Sequence, residues 1–223
     1  MSGTATNTNG ETMRIDIASD VICPWCVIGY KQLERALKDT GIQAEIRWHP
    51  FMLDSQVPQN GRDLHQHLNA HYGRSDDEIR KSHDRIKNVG TEFGFTFNYP
   101  DGMKVVNSFR AHQLLCWAET QGKRHDLTLA LFEAFFTHNK DLNKNSVLAE
   151  IAASLGLDGD EALAVLKDGR FANEVNGRQY LWGKRGIKAL PAMIFNQKYL
   201  VFGAQGVEGF TSLLREFAEE STT

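Results

Sequence analysis

Two cysteines that lie two residues apart carry the clearest chemistry in this sequence. Cys23 and Cys26 enclose Pro24 and Trp25. Thiol–disulfide exchange needs one accessible, partly ionised thiol and a second thiol close enough to resolve a mixed disulfide. The start of a helix supplies both, because its free N–H groups and the positive end of its dipole stabilise the first thiolate. Proline also suits a first helical position, since it has no N–H to lose. We therefore predict Cys23 as the nucleophile and Cys26 as the more buried resolving thiol.

Two other uses of this cysteine pair stay open. A structural zinc site needs four ligands, but the chain contains only three cysteines, and Cys116 lies far away in a helical pattern. The two cysteines could also be inert, since a free cysteine packs like a small hydrophobic residue. We favour redox chemistry over both, because a strand pattern precedes the pair and a helical pattern follows it.

The first fifty residues predict a strand–helix–strand unit that would position this pair. Residues 13–18 alternate between apolar and polar, which is typical of a strand with one buried face. Apolar residues then recur at helical spacing over 27–38, and Gly41 is a stop signal. Residues 43–48 alternate again, so the three elements suggest a parallel crossover unit.

The middle of the chain is nearly all helical in pattern, and strands return only near the end. We predict six helices between residues 62 and 167: 62–72, 76–93, 108–119, 126–138, 145–155 and 158–166. A helix (171–185), two short strands (from Pro191 and over 199–202) and a last helix (207–219) follow. This order indicates an α/β protein, a thioredoxin-like fold with an all-helical insertion. We assign residues 13–61 and 168–220 to the thioredoxin-like domain, 62–167 to the insertion and 1–12 to a disordered tail.

Pro191 is the second element of the predicted site. It stands between a helix and a strand, and in a thioredoxin fold a proline at this place is cis and faces the cysteine pair. The backbone before it, at Leu190, could then pair with the chain of a bound substrate. A turn proline that merely starts an edge strand is the alternative.

Composition excludes several classes of function. The 25 basic and 28 acidic residues nearly cancel, and no basic run interleaves with aromatics, so nucleic acid is not an expected partner. No stretch approaches the roughly 20 apolar residues of a membrane span, so we expect no membrane partner. The first residues lack the basic start and apolar middle of a secretory signal. We therefore expect a cytoplasmic protein with no bound cofactor or metal.

These features together resemble the DsbA-like thioredoxin family, and within it the FrnE-type cytoplasmic proteins. The matching segments are Asp-Val-Ile-Cys-Pro-Trp-Cys-Val-Ile-Gly at 20–29, His-Pro-Phe-Met-Leu at 49–53, Val-Val-Asn-Ser-Phe-Arg-Ala-His at 105–112, Gly-Ile-Lys-Ala-Leu-Pro-Ala at 186–192 and Val-Phe-Gly-Ala-Gln at 201–205. The resemblance implies a helical insertion that caps the active site, and disulfide oxidation, reduction or isomerisation by Cys23 and Cys26. Relatives more often carry Val or Thr where this chain has Leu190. Some also carry a second cysteine pair near the C-terminus, which this chain lacks.

The same superfamily includes glutathione-dependent 2-hydroxychromene-2-carboxylate isomerases and kappa-class glutathione transferases. There the first cysteine position is usually serine, so the intact Cys23 favours disulfide chemistry on a protein or small-molecule substrate, with glutathione as a candidate redox partner. A glutathione-dependent isomerase or transferase is the alternative, because the fold hosts both chemistries. A third possible function is that of a binding module in which the two cysteines have no catalytic role. The resemblance also leaves a homodimer open.

Several further side chains are candidates for lesser roles. We predict that Trp25, Pro24, Leu190, His49 and Phe51 border the site and bind substrate. Three histidines (His65, His67 and His71) share one predicted helix, which we interpret as a solvated face because no acidic partner completes a metal motif. We expect His112 and His138 to be hydrogen-bonded residues of the core or caps of helices, and Cys116 to be a buried, inert thiol. Phe132, Phe135 and Phe136 are expected to form a stripe in the core, one edge of which could line the substrate groove.

Overall fold

The computed structural model describes residues 12–220. In chain order its strands are β1 (Met13–Ser19), β2 (Ala44–Pro50), β3 (Arg62–Asp63), β4 (Lys104–Val105), β5 (Ala192–Phe195) and β6 (Tyr199–Phe202). Its helices are α1 (Pro24–Thr40), α2 (Leu64–Tyr72), α3 (Asp76–Glu92), α4 (Phe109–Thr120), α5 (Arg124–Phe136), α6 (Asn145–Ser154), α7 (Gly159–Asp168), α8 (Ala172–Lys184) and α9 (Gly206–Glu220).

A four-stranded sheet in the order β2-β1-β5-β6 forms the centre of the fold. β1 runs parallel to β2, with Ile15 opposite Ile46, and antiparallel to β5, with Ile17 opposite Met193. β5 and β6 form a hairpin. Its turn residues, Asn196 and Gln197, both have positive φ (48° and 60°). The predicted strand–helix–strand crossover and the final antiparallel pair are therefore confirmed, and with them the thioredoxin-like α/β architecture.

Helices cover both faces of this sheet, as the alternation of side chains requires. Ile15 and Ile17 belong to the large core that also contains buried residues of α1 and α9. On the opposite face, Ala18 and Ile194 pack in a smaller cluster with Trp182 of α8. β1 is thus buried on both faces. This burial holds the strand in place, and the strand leads directly into the segment that contains Cys23 and Cys26.

The insertion is helical but contains one feature that the sequence did not predict. β3 and β4 form a short antiparallel pair, with Arg62 opposite Val105 and Asp63 opposite Lys104. A ladder of this length is too short to produce an alternating pattern. α1 begins at Pro24, before the apolar repeat that starts at 27, and ends at Gly41 in the left-handed region (φ 73°) as predicted. The domain boundaries stay a prediction, and residues 1–11 of the predicted tail lie outside the described residues.

Candidate active site

The cysteine pair lies where β1 gives way to α1. Cys23 caps α1 in an extended conformation, Pro24 takes the first helical position, and no acidic residue occupies the first turn. The Cys23 N–H donates to the carbonyl of Asp20 (3.1 Å) and the Cys26 N–H to the carbonyl of Cys23 (3.0 Å). Both cysteines are free thiols. The arrangement holds the Cys23 sulfur at the positive end of the helix, with the second thiol one turn further on.

The two thiols differ in their surroundings. Cys26 is fully buried, and burial raises its pKa well above the usual value, with the adjacent Cys23 adding to the effect. Cys26 therefore keeps its proton at neutral pH. Cys23 is only 3% exposed, yet it lines a cavity that Cys26 does not reach. The cavity therefore offers substrate a route to Cys23.

The cavity has a volume of about 360 Å³ and lies between the sheet domain and the helical insertion. Cys23, Pro24 and Trp25 form one wall together with Leu190, and α2 and α3 of the insertion form the other. Phe135 and Phe136 also line it, as proposed for the edge of the phenylalanine stripe. Half of the remaining lining is aliphatic: Ile22, Leu53, Leu64, Leu68, Ile79, Ile86, Val105 and Ala189. The volume of this cavity lies within the range that is usual for small-molecule sites.

Pro191 packs directly on the first helix. The peptide bond between Leu190 and Pro191 is cis, as predicted. A Cβ placed on Gly29 would lie 2.9 Å from Cγ of Pro191, so only glycine permits this approach of α1. The Pro191 carbonyl accepts a hydrogen bond from Gly203 (2.7 Å), which ties it to the end of β6. Gly29 is a site residue whose role the sequence analysis missed, although a glycine inside a helix was the available signal.

Trp25 is half-buried and lines the cavity beside Cys23. The guanidinium of Arg85, on α3, lies 5.3 Å from the centre of its ring. This cation–π contact joins the active-site turn to the helix that covers it.

His49 and Phe51 do not line the cavity, which corrects the prediction that they border the site. His49 Nε2 lies 2.7 Å from Oδ1 of Asp16, and its ring packs 4.6 Å from that of Trp182. Burial lowers the pKa of His49 more than Asp16 raises it, so the neutral ring donates to the carboxylate. Phe51 joins the same cluster on the α8 side of the sheet. The following residues Leu53 and Asp54 line the cavity instead.

Asp20 organises the loops beside the cysteines. It is fully buried, and its Oδ2 accepts the N–H of Leu53 at 2.6 Å. His112 Nε2 lies 3.3 Å from its Oδ1. His112 is buried, as expected for a core histidine. The expected hydrogen bonds are missing, because neither ring nitrogen has a partner among the described residues. Cys116 is buried, as expected. His138 lies beside Glu133 (3.4 Å) and away from the cavity.

The histidines of α2 have an acidic partner that the sequence did not reveal. Oδ2 of Asp54 lies 3.8 Å from His67 Nε2 and 3.9 Å from His71 Nδ1. His67 is buried, which corrects its interpretation as part of a solvated face, whereas His65 and His71 are exposed. Asp54 and His67 both line the cavity. Within residues 12–220, no group of three or more His, Cys, Asp or Glu side chains could hold a metal ion.

None of the helices in the described part of the chain is both long enough and apolar enough to span a bilayer.

Comparisons with known proteins match this architecture over nearly the whole chain. The DSBA-like thioredoxin domain family matches residues 14–215. The structure is similar to that of the probable DsbA oxidoreductase SCO1869 from Streptomyces coelicolor, with 28% identity, a TM-score of 0.87 and coverage of 93% of this chain and 91% of that one. The uncharacterized protein YwbO of Bacillus subtilis is 24% identical over 92% of this chain and 97% of its own length.

Two more distant structures share the fold. One is a 2-hydroxychromene-2-carboxylate isomerase, with 15% identity, a TM-score of 0.68 and coverage of 94% of this chain and 98% of that one. The other is the cytosolic disulfide reductase DsbM from Pseudomonas aeruginosa with GSH, with 17% identity, a TM-score of 0.60 and the same coverage.

Proposed function

Because the chain belongs to the DSBA-like thioredoxin domain family, we propose that it catalyses thiol–disulfide exchange through Cys23 and Cys26. One observation carries the proposal. Cys23 lines the cavity at the positive end of a helix, whereas Cys26 is sealed behind it with a pKa well above the usual value. One thiol is thus placed to attack, and the other stays protonated until a mixed disulfide forms.

The reaction that this geometry supports has two exchanges. The Cys23 thiolate attacks one sulfur of a substrate disulfide, the substrate S–S bond breaks, and one substrate thiolate leaves. Cys26 then loses its proton and attacks the Cys23 sulfur, which releases the second substrate thiolate and closes the intramolecular disulfide. Two electrons pass from the protein dithiol to the substrate, and the reverse sequence oxidises a substrate dithiol.

Substrate and place of action are part of the proposal. We propose a protein or small-molecule thiol or disulfide as substrate, glutathione as redox partner and the cytoplasm as the working compartment. The cavity volume suits a small thiol, and the DsbM structure, which holds GSH in the same fold, makes glutathione the first partner to test. Trp25, Pro24 and Leu190 line the cavity and are the proposed substrate contacts. Pro191 is not part of the lining, and its proposed role is to hold Leu190 in place through the cis bond between them.

A glutathione-dependent isomerase is the second candidate, and one observation favours it. The Cys23 thiol is almost fully covered and lines a largely apolar cavity, which suits the handling of a small molecule as well as disulfide exchange. The 2-hydroxychromene-2-carboxylate isomerase that shares the fold is consistent with this reading.

Three cysteine variants test the proposal. Reduction of a small disulfide should be lost in Cys23→Ser, because the attacking sulfur is gone. Cys26→Ser should accumulate a mixed disulfide at Cys23, visible as a mass increase of the intact protein. Cys116→Ser is the matched control and should retain activity, since Cys116 lies away from the cavity. Full activity in Cys23→Ser would contradict the mechanism. Absence of exchange in the wild type, together with measurable glutathione binding, would instead support the isomerase.

A further inference from the structure

A polar corner, formed by Asp54 and His67, interrupts the apolar lining of the Cys23 cavity. Their side chains are 5% and 4% exposed. Oδ1 of Asp54 accepts the N–H of Gln56 at 2.7 Å. Oδ2 of Asp54 and Nδ1 of His67 are buried and form no hydrogen bond within the described part of the chain. The hydroxyl of Tyr99, which also lines the cavity, is a third atom of this kind. Buried polar atoms are nearly always paired, so these unpaired groups in one cavity lining point to a ligand that pairs with them.

The charge of this corner is negative. Of the three formally charged residues that line the cavity, Asp54 is buried, whereas Arg74 and Lys188 are exposed to solvent that screens them. Burial lowers the pKa of His67 despite the nearby carboxylate, so its ring is neutral at physiological pH. With Nε2 turned to Asp54, the neutral ring offers Nδ1 as an acceptor. The corner therefore presents two acceptors and one negative charge.

The corner lies within electrostatic range of the reactive thiol. Burial raises the pKa of Tyr72, and the charges of Asp54 and Cys23 both add to this effect. Tyr72 itself lines the cavity. Cys23, Asp54 and His67 line the same cavity, so a ligand within it can reach both the thiol and the polar corner.

We propose that the polar corner binds a protonated primary amine, and that the preferred substrate is a compact disulfide of an aminothiol. This inference rests on the proposed function and specifies its substrate class. A primary ammonium supplies several N–H donors and one positive charge, which match the two unpaired acceptors, one of them an oxygen of the Asp54 carboxylate. Its disulfide then meets Cys23, and the apolar lining holds the short carbon chain between them.

Three small symmetrical disulfides test this proposal, because their end groups differ in charge. Cystamine ends in ammonium groups, 2-hydroxyethyl disulfide in neutral hydroxyls and dithiodipropionate in carboxylates. Fully reduced protein is mixed with each disulfide in a single turnover, so that the protein dithiol is the only reductant and the released thiol is counted. Each rate is divided by the rate of the same disulfide with a free small thiol, which removes its intrinsic reactivity.

The corrected cystamine rate should exceed the hydroxyethyl disulfide rate by about tenfold, equivalent to about 1.4 kcal/mol, with dithiodipropionate slowest. Asp54→Asn keeps the acceptor for Gln56 but removes the charge, and should bring the cystamine preference, measured against hydroxyethyl disulfide in the same variant, close to one. Asp76→Asn is the control, because it removes the same charge from an exposed residue outside the cavity. It should leave the preference intact.

Each outcome decides a different question. An unchanged cystamine preference in Asp54→Asn, or dithiodipropionate as the fastest substrate, would overturn the inference while the exchange itself stands. No exchange with any of the three disulfides would overturn the proposed function. If Asp54→Asn no longer folds, His67→Leu gives an independent reading because it removes one acceptor and leaves the carboxylate. Its cystamine preference should fall by about threefold or more, and an unchanged preference would again overturn the inference.

Discussion

Replacement of Gly29 by alanine tests whether close packing between α1 and Pro191 holds the candidate site together. The added Cβ would lie 2.9 Å from Cγ of Pro191, 3.5 Å from Cε of Met193 and 3.6 Å from Cα of Ala204. The methionine methyl can move aside, but Pro191 directly precedes β5 and its carbonyl accepts a hydrogen bond from Gly203, so the proline ring and the Ala204 backbone are less free to move. Since real Cβ atoms essentially never approach this closely, α1 has to shift away from Pro191.

Two opposing effects determine how much Gly29→Ala changes the free energy of unfolding. Overpacking a buried site costs about 1–3 kcal/mol, whereas Gly to Ala inside a helix gains up to about 1 kcal/mol. Gly29→Ala should therefore lower the free energy of unfolding by about 1 kcal/mol. Gly177→Ala is the matched control, because Gly177 lies within α8 and its added Cβ meets nothing within 4 Å. That variant should be more stable than the wild type by about 0.5–1 kcal/mol.

Urea unfolding of the reduced proteins measures both effects. The two variants should differ by about 1–3 kcal/mol in unfolding free energy, or by several degrees in Tm. Gly29→Ala should also slow disulfide exchange, because the shift separates Cys23 from Leu190, whereas Gly177→Ala should not. Equal stabilisation by both substitutions would refute the argument, since it would mean that Pro191 does not press on α1.

Two further predictions follow from the titration of buried groups. In the reduced protein, iodoacetamide should modify Cys23 well before Cys26 and Cys116, because burial raises the pKa of both of the latter thiols; peptide mass spectrometry gives the order, and earlier modification of Cys26 would reverse the assigned roles. Burial alone would raise the pKa of Asp16, but hydrogen bonds with His49 and Arg14 lower it from 3.8 to about 2. The stabilisation from Asp16 is complete above the pKa of the unfolded chain and disappears as the pH falls through the pKa of the folded protein. The free energy of unfolding should therefore drop by about 2 kcal/mol between about pH 4 and 2. Unfolding curves of the wild type and Asp16→Asn should converge over that window, and curves that stay parallel would contradict the assignment.

The fold and the reactive centre were readable from the sequence because their signals are local. Cys23, Pro24 and Trp25 occupy consecutive positions at a strand-to-helix junction, and each of them lines the cavity. The cis bond before Pro191 followed from the order of elements around it. These predictions needed only a spacing, a helix start and a sequence of secondary structure.

The rest of the cavity depends on how the insertion folds over the sheet domain, which no local pattern encodes. Asp54 lies in a turn-rich stretch and His67 in a helix, and only tertiary packing brings them to 3.8 Å. The error for His49 has a different cause. β2 pairs with β1 so that His49 lies opposite Ala18, on the face that packs against Trp182. Because side chains alternate along a strand, His49 points to the face opposite that of Trp48.

The measurement that tests the central claim most directly is the redox equilibrium of the Cys23–Cys26 pair. Cys116→Ser protein, which carries only these two thiols, is equilibrated in glutathione buffers of increasing oxidation, and the fraction of free thiols is read by alkylation and mass. The account predicts one reversible transition in which both thiols disappear together with a two-electron slope, and its loss when Cys23→Ser is added. Thiols that stay free across the series, or that form only separate glutathione adducts, would contradict it.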